Sequence, residues 1–190
     1  MGNKVSGNLR IGLYSPSPQS GKSTTADYLI SKYSFDRVVL ANTLKKMTGV
    51  FLLDLGFTPD IVERMIYGDL KETIIKSIGK SPRDLMVSIG TDWGRAKVKE
   101  SIWIDIATSS LSNGINYVSD DIRYLNEADT FRQKGFKIVR LYNPRVPTAE
   151  GAVSEGNLEG YDFDFQLINS GDFEELYKQV DEMLLYFNEG

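Results

Sequence analysis

Between Arg10 and Tyr33 the chain runs from a short apolar stretch through a turn-rich one into helical periodicity, and this order constrains the fold more than any other feature. Arg10-Ile11-Gly12-Leu13-Tyr14 has the length and character of a buried strand. Ser15 to Gly21 consists of Ser, Pro, Gln and Gly, residues that favour turns. From Lys22 the pattern becomes helical, with Ala26, Leu29, Ile30 and Tyr33 spaced to cover one face.

The same alternation continues downstream. Arg37-Val38-Val39-Leu40, Asn116-Tyr117-Val118-Ser119, Lys137-Ile138-Val139-Arg140-Leu141 and Phe165-Gln166-Leu167-Ile168 read as further strands. A helical region is expected from about Thr43 to about Ser112, broken near Gly56-Phe57-Thr58-Pro59 and Gly79-Lys80-Ser81-Pro82. Helices are expected over Asn126 to Lys134 and over Asp172 to Phe187, the last capped by Ser170 or Asp172. Asn143 to Asp164 is rich in Gly, Pro, Asn and Glu and reads as an irregular flap. Strands alternating with helices predict an α/β fold: a five-stranded, mostly parallel sheet covered by helices on both faces. Ligands of such sheets bind beyond the carboxyl ends of the strands. At 190 residues the chain fits one domain of this kind, with the helical region and the flap as parts of it.

Composition narrows the chemistry. The chain has neither cysteine nor histidine, which excludes disulfides, zinc–thiolate sites, cysteine nucleophiles and histidine general bases. A net charge of -4 argues against a dedicated nucleic-acid binder, whose affinity comes from clustered Lys and Arg. Met1 to Arg10 is polar and no apolar run approaches the length of a membrane span, so a cytoplasmic protein is expected.

What remains is chemistry performed by cations and backbone. Ser20-Gly21-Lys22-Ser23-Thr24 lies between a strand and a helix, the context that a phosphate-binding loop of the G-x-x-x-x-G-K-[ST] type requires. Gly21 lets the backbone approach phosphates, and the helix N-terminus supplies amide donors and a favourable dipole. Lys22 reaches the β- and γ-phosphates in such a loop, and the Ser23 hydroxyl ligates Mg²⁺. One position departs: Pro16 stands where the motif has its first glycine, offering no amide and a fixed φ. Asp120 and Asp121 follow the third strand, where a carboxylate can hold Mg²⁺ directly or through water. Arg123, two residues on, can fork onto phosphate oxygens.

Four stretches then carry a resemblance. Ser20 to Tyr28, Arg83-Asp84-Leu85-Met86 running into Gly90-Thr91-Asp92-Trp93-Gly94-Arg95, Asp121-Ile122-Arg123-Tyr124-Leu125-Asn126-Glu127-Ala128, and Ser154-Glu155 with Ile168-Asn169-Ser170-Gly171 together resemble the bacteriophage-type deoxynucleoside monophosphate kinases, a P-loop kinase family. They occur in the family's order and reach from the first strand to the final helix. The chain departs from the family at Ser23, where phage members often have Asp, at Pro16, and at Ala152, where a flap histidine is common.

The resemblance implies a three-layer α/β/α P-loop kinase fold and transfer of phosphate from Mg-ATP to a deoxynucleoside monophosphate. Lys22, Asp121 and Arg123 become the catalytic candidates, with Ser23 and Asp121 as Mg²⁺ ligands. Ser20, Gly21, Lys22, Ser23, Thr24 and Arg145 are the ATP-binding candidates, and Arg132 and Arg140 are further candidates among the arginines. Lys45, Arg83, Thr91, Asp92, Trp93 and Arg95 are the acceptor-binding candidates; Trp93 either stacks on the base or packs into the core. Members of the family often dimerise, and the apolar content of the middle helical region allows a homodimer here; if a phage encodes the chain, the site of action is the host cytoplasm. Two other readings stay open at this point: a P-loop kinase for another small acceptor such as dephospho-coenzyme A, and a non-catalytic nucleotide-binding module in which Pro16 has spoiled the loop.

Overall fold

A computed structural model describes residues 7–146, 158 and 160–189, and it divides into two compact units, Leu40–Ser109 and the remainder. The remainder is built on a five-stranded sheet of order β2-β3-β1-β4-β5, with β1 Arg10–Tyr14, β2 Asp36–Arg37, β3 Tyr117–Ile122, β4 Lys137–Tyr142 and β5 Phe165–Ile168. Every neighbouring pair is parallel, so the sheet is wholly rather than mostly parallel. β1 is central and four of its five residues are buried, as an apolar strand flanked on both sides must be.

Three helices cover this sheet: α1 Lys22–Tyr33, α6 Leu125–Gln133 and α7 Phe173–Glu189, numbered in chain order with the helices of the other unit. The step from β1 to β2 crosses the sheet one way and the step from β3 to β4 crosses it the other way. Right-handed crossovers therefore put α1 and α6 on opposite faces. Ala26 and Leu29 of α1 and Leu176, Val180, Met183 and Leu184 of α7 pack with Ile11, Leu13, Val118, Val139, Leu141 and Leu167 in one cluster. On the other face Gly12 leaves room for Ile122 and Ile138, and Phe131 of α6 packs edge-on against Phe136. This is the three-layer α/β/α arrangement of the P-loop kinases.

Two strand boundaries differ from expectation by more than one residue. β2 is only Asp36–Arg37; the Val38 amide still donates to Val118 O at 2.8 Å, and beyond it Leu40 is buried outside the ladder, so the apolar run reflects burial more than pairing. β3 runs on through Asp120 and Asp121 to Ile122, so both acids lie within the strand rather than in a turn after it.

The unit Leu40–Ser109 is helical: α2 Asn42–Asp54, α3 Pro59–Tyr67, α4 Pro82–Val87, a π-helix Ser88–Val98 and α5 Ile102–Thr108. Its own core gathers Leu52, Val62, Met65, Ile66, Ile75 and Met86. α4 starts where Pro82 occupies the first helical turn and Ser81 and Asp84 cap each other reciprocally. Hydrogen bonds from the Ser81 amide and hydroxyl hold the Asp84 carboxyl below its ordinary range. Among the described residues no helix is long and apolar enough to cross a membrane.

Candidate functional site

The 15–21 loop leaves the C-terminal end of β1 and delivers the chain into α1. Its left-handed positions are Gln19, at φ 54°, and Gly21, at φ 108°. Gly21 is the N-cap of α1, whose first turn has neither a side-chain cap nor an acidic residue. Side-chain capping therefore accounts for none of its first-turn amide donors. A Cβ on Gly21 would sit 2.7 Å from Asn169 Nδ2, so this position requires glycine for space as well as for conformation. The Asn169 amide donates to Ser20 O at 2.8 Å and is itself buried, bracing the loop from the end of β5.

Within the loop, Lys22 Nζ donates to Ser17 O at 3.5 Å, and the Ser17 amide donates to Ser15 Oγ at 3.3 Å. Ser20 Oγ is buried without a hydrogen-bond partner. Ser23 is exposed and Thr24 half-buried in the first turn of α1. Pro16 is accommodated because the left-handed turns fall at Gln19 and Gly21, not at the motif's first glycine position.

Arg145 joins this cluster. Its guanidinium lies 3.4 Å from both the backbone and side-chain oxygens of Asn169, and its amide donates to Asn143 Oδ1 at 3.0 Å. Ser20, Gly21 and Arg145 are thus linked through Asn169, a residue singled out in the sequence only as part of a resemblance. Arg132 and Arg140 are otherwise engaged. Arg132 donates to Asp162 O and Asp164 and lies over the Tyr161 ring, while Arg140 lies over Tyr142 and Phe163.

The two acids of β3 diverge, as consecutive strand residues must. Asp120 lies 3.7 Å from Arg37 Nε, and Arg37 also donates to Asp27 at 2.8 Å. Asp121 lies 4.0 Å from the Arg123 guanidinium. Glu127, almost fully buried, accepts from the backbone amides of Arg123 at 2.8 Å and Tyr124 at 3.2 Å. It fixes the turn that follows β3 and with it the place of Arg123. Tyr124 stands at the N-cap of α6 in place of Ser, Thr, Asp or Asn, so the sequence carries only the glutamate half of a capping box.

In the helical unit, Thr91, Asp92, Trp93 and Arg95 all lie on the π-helix. Thr91 and Asp92 are exposed, Arg95 is half-buried, and Trp93 is 48% exposed, which removes the core alternative for that ring. Lys45 Nζ sits 4.6 Å above the Tyr67 ring. Arg83 makes an exposed pair with Glu72 at 3.2 Å, a contact of the kind that contributes little to stability. The flap residues Ala152, Ser154 and Glu155 lie outside the described residues. Among the described residues no three acidic side chains gather as a metal cage, so a hard cation here would depend on one or two side chains together with a ligand's own oxygens.

Comparison with known proteins gives an independent line. The family profile "Deoxynucleotide monophosphate kinase" matches residues 56–180, and this match begins downstream of the 15–21 loop. A protein of Acanthamoeba polyphaga mimivirus named "Putative deoxynucleotide monophosphate kinase" is 27% identical over 180 residues, covering 85% of this chain and 89% of the viral one. The profile spans well over half of the chain, which belongs to the deoxynucleotide monophosphate kinase family.

Proposed function

We propose that the protein transfers the γ-phosphoryl group of ATP to the phosphate of a deoxynucleoside monophosphate, giving ADP and the deoxynucleoside diphosphate. The observation that carries this reading is the N-terminus of α1 behind Gly21, which has no side-chain cap and no acidic residue and begins with Lys22, so that its macrodipole and the lysine both favour an anion there. The buried, unpartnered Ser20 hydroxyl adds a donor that a phosphate oxygen can satisfy.

An oxygen of the acceptor phosphate attacks the γ-phosphorus as the bond from that phosphorus to the β–γ bridging oxygen breaks. The acceptor is already an oxyanion, so no strong base is needed, in keeping with a chain that has no histidine. The transition state is loose and its charge spreads over the phosphoryl oxygens, so catalysis consists of positioning and positive charge. Lys22 binds the β- and γ-phosphates, Thr24 and the loop amides bind neighbouring oxygens, and Arg123 and Arg145 offer further positive charge. Ser23 and Asp121 suit Mg²⁺, which favours few protein ligands beside substrate phosphates; when bound it neutralises charge on the β- and γ-oxygens. Lys45, Arg83 and Arg95 bind the acceptor's phosphate, and Thr91, Asp92 and Trp93 its sugar and base. The reaction belongs in this reading to the cytoplasm.

A coupled assay tests it: ATP-dependent formation of diphosphates from a panel of deoxynucleoside monophosphates, with dephospho-coenzyme A included. Turnover of at least one monophosphate is expected. ATP binding without turnover of any of them leaves a nucleotide-binding module and sinks the proposal; phosphorylation of dephospho-coenzyme A alone moves the chain to another acceptor.

A further inference from the structure

Most π-helical segments are single-turn bulges, because the i→i+5 ladder is intrinsically poorer than the α ladder. Here Ser88–Val98 spans 11 residues and continues directly from α4. A stretch of that length requires something outside the helix to hold its register. The structure supplies it in Trp103, on α5, whose side chain is 4% exposed. Its Nε1–H donates to Gly90 O at 2.8 Å, and its ring lies against Gly94 so closely that a Cβ there would come within 2.9 Å of Nε1 and closer still to the six-membered ring. Gly94 has no left-handed backbone to explain it; the need is for space alone. The ladder then closes with the Lys99 amide on Gly94 O at 3.0 Å, again five residues apart.

The register decides what the segment shows to a ligand. More residues per turn means less rotation from one residue to the next, which brings Thr91, Asp92 and Trp93 toward a shared exposed face. Slipping back by one residue would turn every later side chain by about 100°.

Resting on the acceptor assignment made above, we propose that Trp103 is a positioning residue for acceptor recognition. It touches no substrate. It locks the Ser88–Val98 segment in the π register, so that Thr91, Asp92 and Trp93 meet the deoxynucleoside monophosphate together.

Trp103→Phe keeps an aromatic ring against Gly94 and removes the donor to Gly90 O. The expected result is an acceptor KM raised about tenfold, the scale of one lost buried hydrogen bond, with the ATP KM within about twofold of wild type. The substitution also leaves Trp93 as the chain's one tryptophan, since there are two in all. Titrating its fluorescence with the best acceptor of the panel reads the same loss of affinity without turnover. A lower melting temperature with an unchanged acceptor KM would mean that Trp103 only packs, and the proposal fails.

If Trp103→Phe does not fold, proton NMR of the wild type decides. The two indole N–H signals should differ, one protected from exchange and shifted by the monophosphate but not by ATP alone. Two fast-exchanging indoles, or a protected one indifferent to the monophosphate, overturn the proposal. Wild-type turnover with an unaltered acceptor KM in the variant ends this inference alone; absence of both turnover and monophosphate binding in the wild type ends the functional reading and this one with it.

Discussion

The 15–21 loop and the π-helix solve the same problem by different means. In the proposed function each presents polar groups to a ligand on backbone that would not hold its shape alone, and each is pinned by a buried side chain pressed against a glycine. At Gly21 the partner is the Asn169 amide, 2.8 Å from Ser20 O; at Gly94 it is the Trp103 indole. The glycines differ in kind. Gly21, at φ 108°, needs both the left-handed backbone and the space, whereas Gly94 needs only space. The loop thus combines local conformational chemistry with a brace, while the π-helix depends on its brace throughout.

The sharpest break of this comparison is Lys22→Ala. The amine donates to Ser17 O over a long 3.5 Å and is not part of the core, so the fold should survive. In the proposed mechanism the lysine stabilises transition-state charge, and kcat should fall by about 10³-fold, the scale of a lost electrostatic donor at a reacting centre. Melting temperature and turnover measured on the same preparation check both halves. Surviving activity would remove the loop from the reaction.

Next in size are Gly21→Ala and Asn169→Ala, which separate conformation from space. Gly21→Ala forces a left-handed alanine, a strain of about 1–3 kcal/mol, and drives a methyl into Asn169 Nδ2. The ATP KM should rise by more than about tenfold, with a lower melting temperature. Asn169→Ala removes the brace and leaves Ser20 O without its amide donor, and the ATP KM should rise about fivefold while the acceptor KM stays put. In the double variant the clash is gone while the strain and the lost donor to Ser20 O remain, so its effect should be smaller than the sum of the two single effects. Full additivity would mean that Asn169 does not press on the loop.

How much of this the sequence discloses follows from the range of the forces involved. The β1–loop–α1 unit is local: apolar run, turn residues and helical spacing are contiguous, and β1 comes out at Arg10–Tyr14 as read. β5 also matches, and α3 and α4 start at Pro59 and Pro82 as proline sets them, but the second break is wider than read: from Gly68 to Ser81 the chain forms turns and an isolated bridge between Ile75 and Lys80 instead of helix. β2 was less legible, because a buried apolar run is the same pattern whether or not it pairs. The π register was illegible. Its local dihedrals and residue preferences overlap those of an α-helix, and what fixes it is an indole nine residues beyond Gly94. Asn169 was quoted for its motif, yet its role as a brace on Ser20 appears only when the end of β5 is set beside the loop.

The smallest expected effect concerns the far end of α1. Asp181 of α7 accepts hydrogen bonds from Tyr28 and Tyr33 and pairs with Lys32 at 2.9 Å, and Tyr28 stacks on Tyr177 at 4.0 Å. Burial pushes the Asp181 carboxyl up, but the hydrogen bonds from Lys32, Tyr33 and Tyr28 outweigh it and hold the group below its ordinary range. The Asp181 and Tyr28 contacts raise the Lys32 ammonium above its own. A carboxyl depressed in the native state contributes stability that is present above its unfolded value, about 3.9, and lost as the pH falls through the native one. A raised ammonium contributes stability that is present below about 10.4 and lost as the pH climbs through its native value. Asp181→Asn should therefore lower the melting temperature by about 2–4 °C at neutral pH, the equivalent of about 1 kcal/mol in a chain of this size. The difference from wild type should shrink as the pH falls below about 3.9 and close only once the wild-type carboxyl is itself protonated. Because α1 carries Lys22 at its opposite end, kcat and both KM values should not move. A fall in kcat would show that the tether at Asp181 sets the position of the loop, so that the loop, like the π-helix, depends on a distant brace.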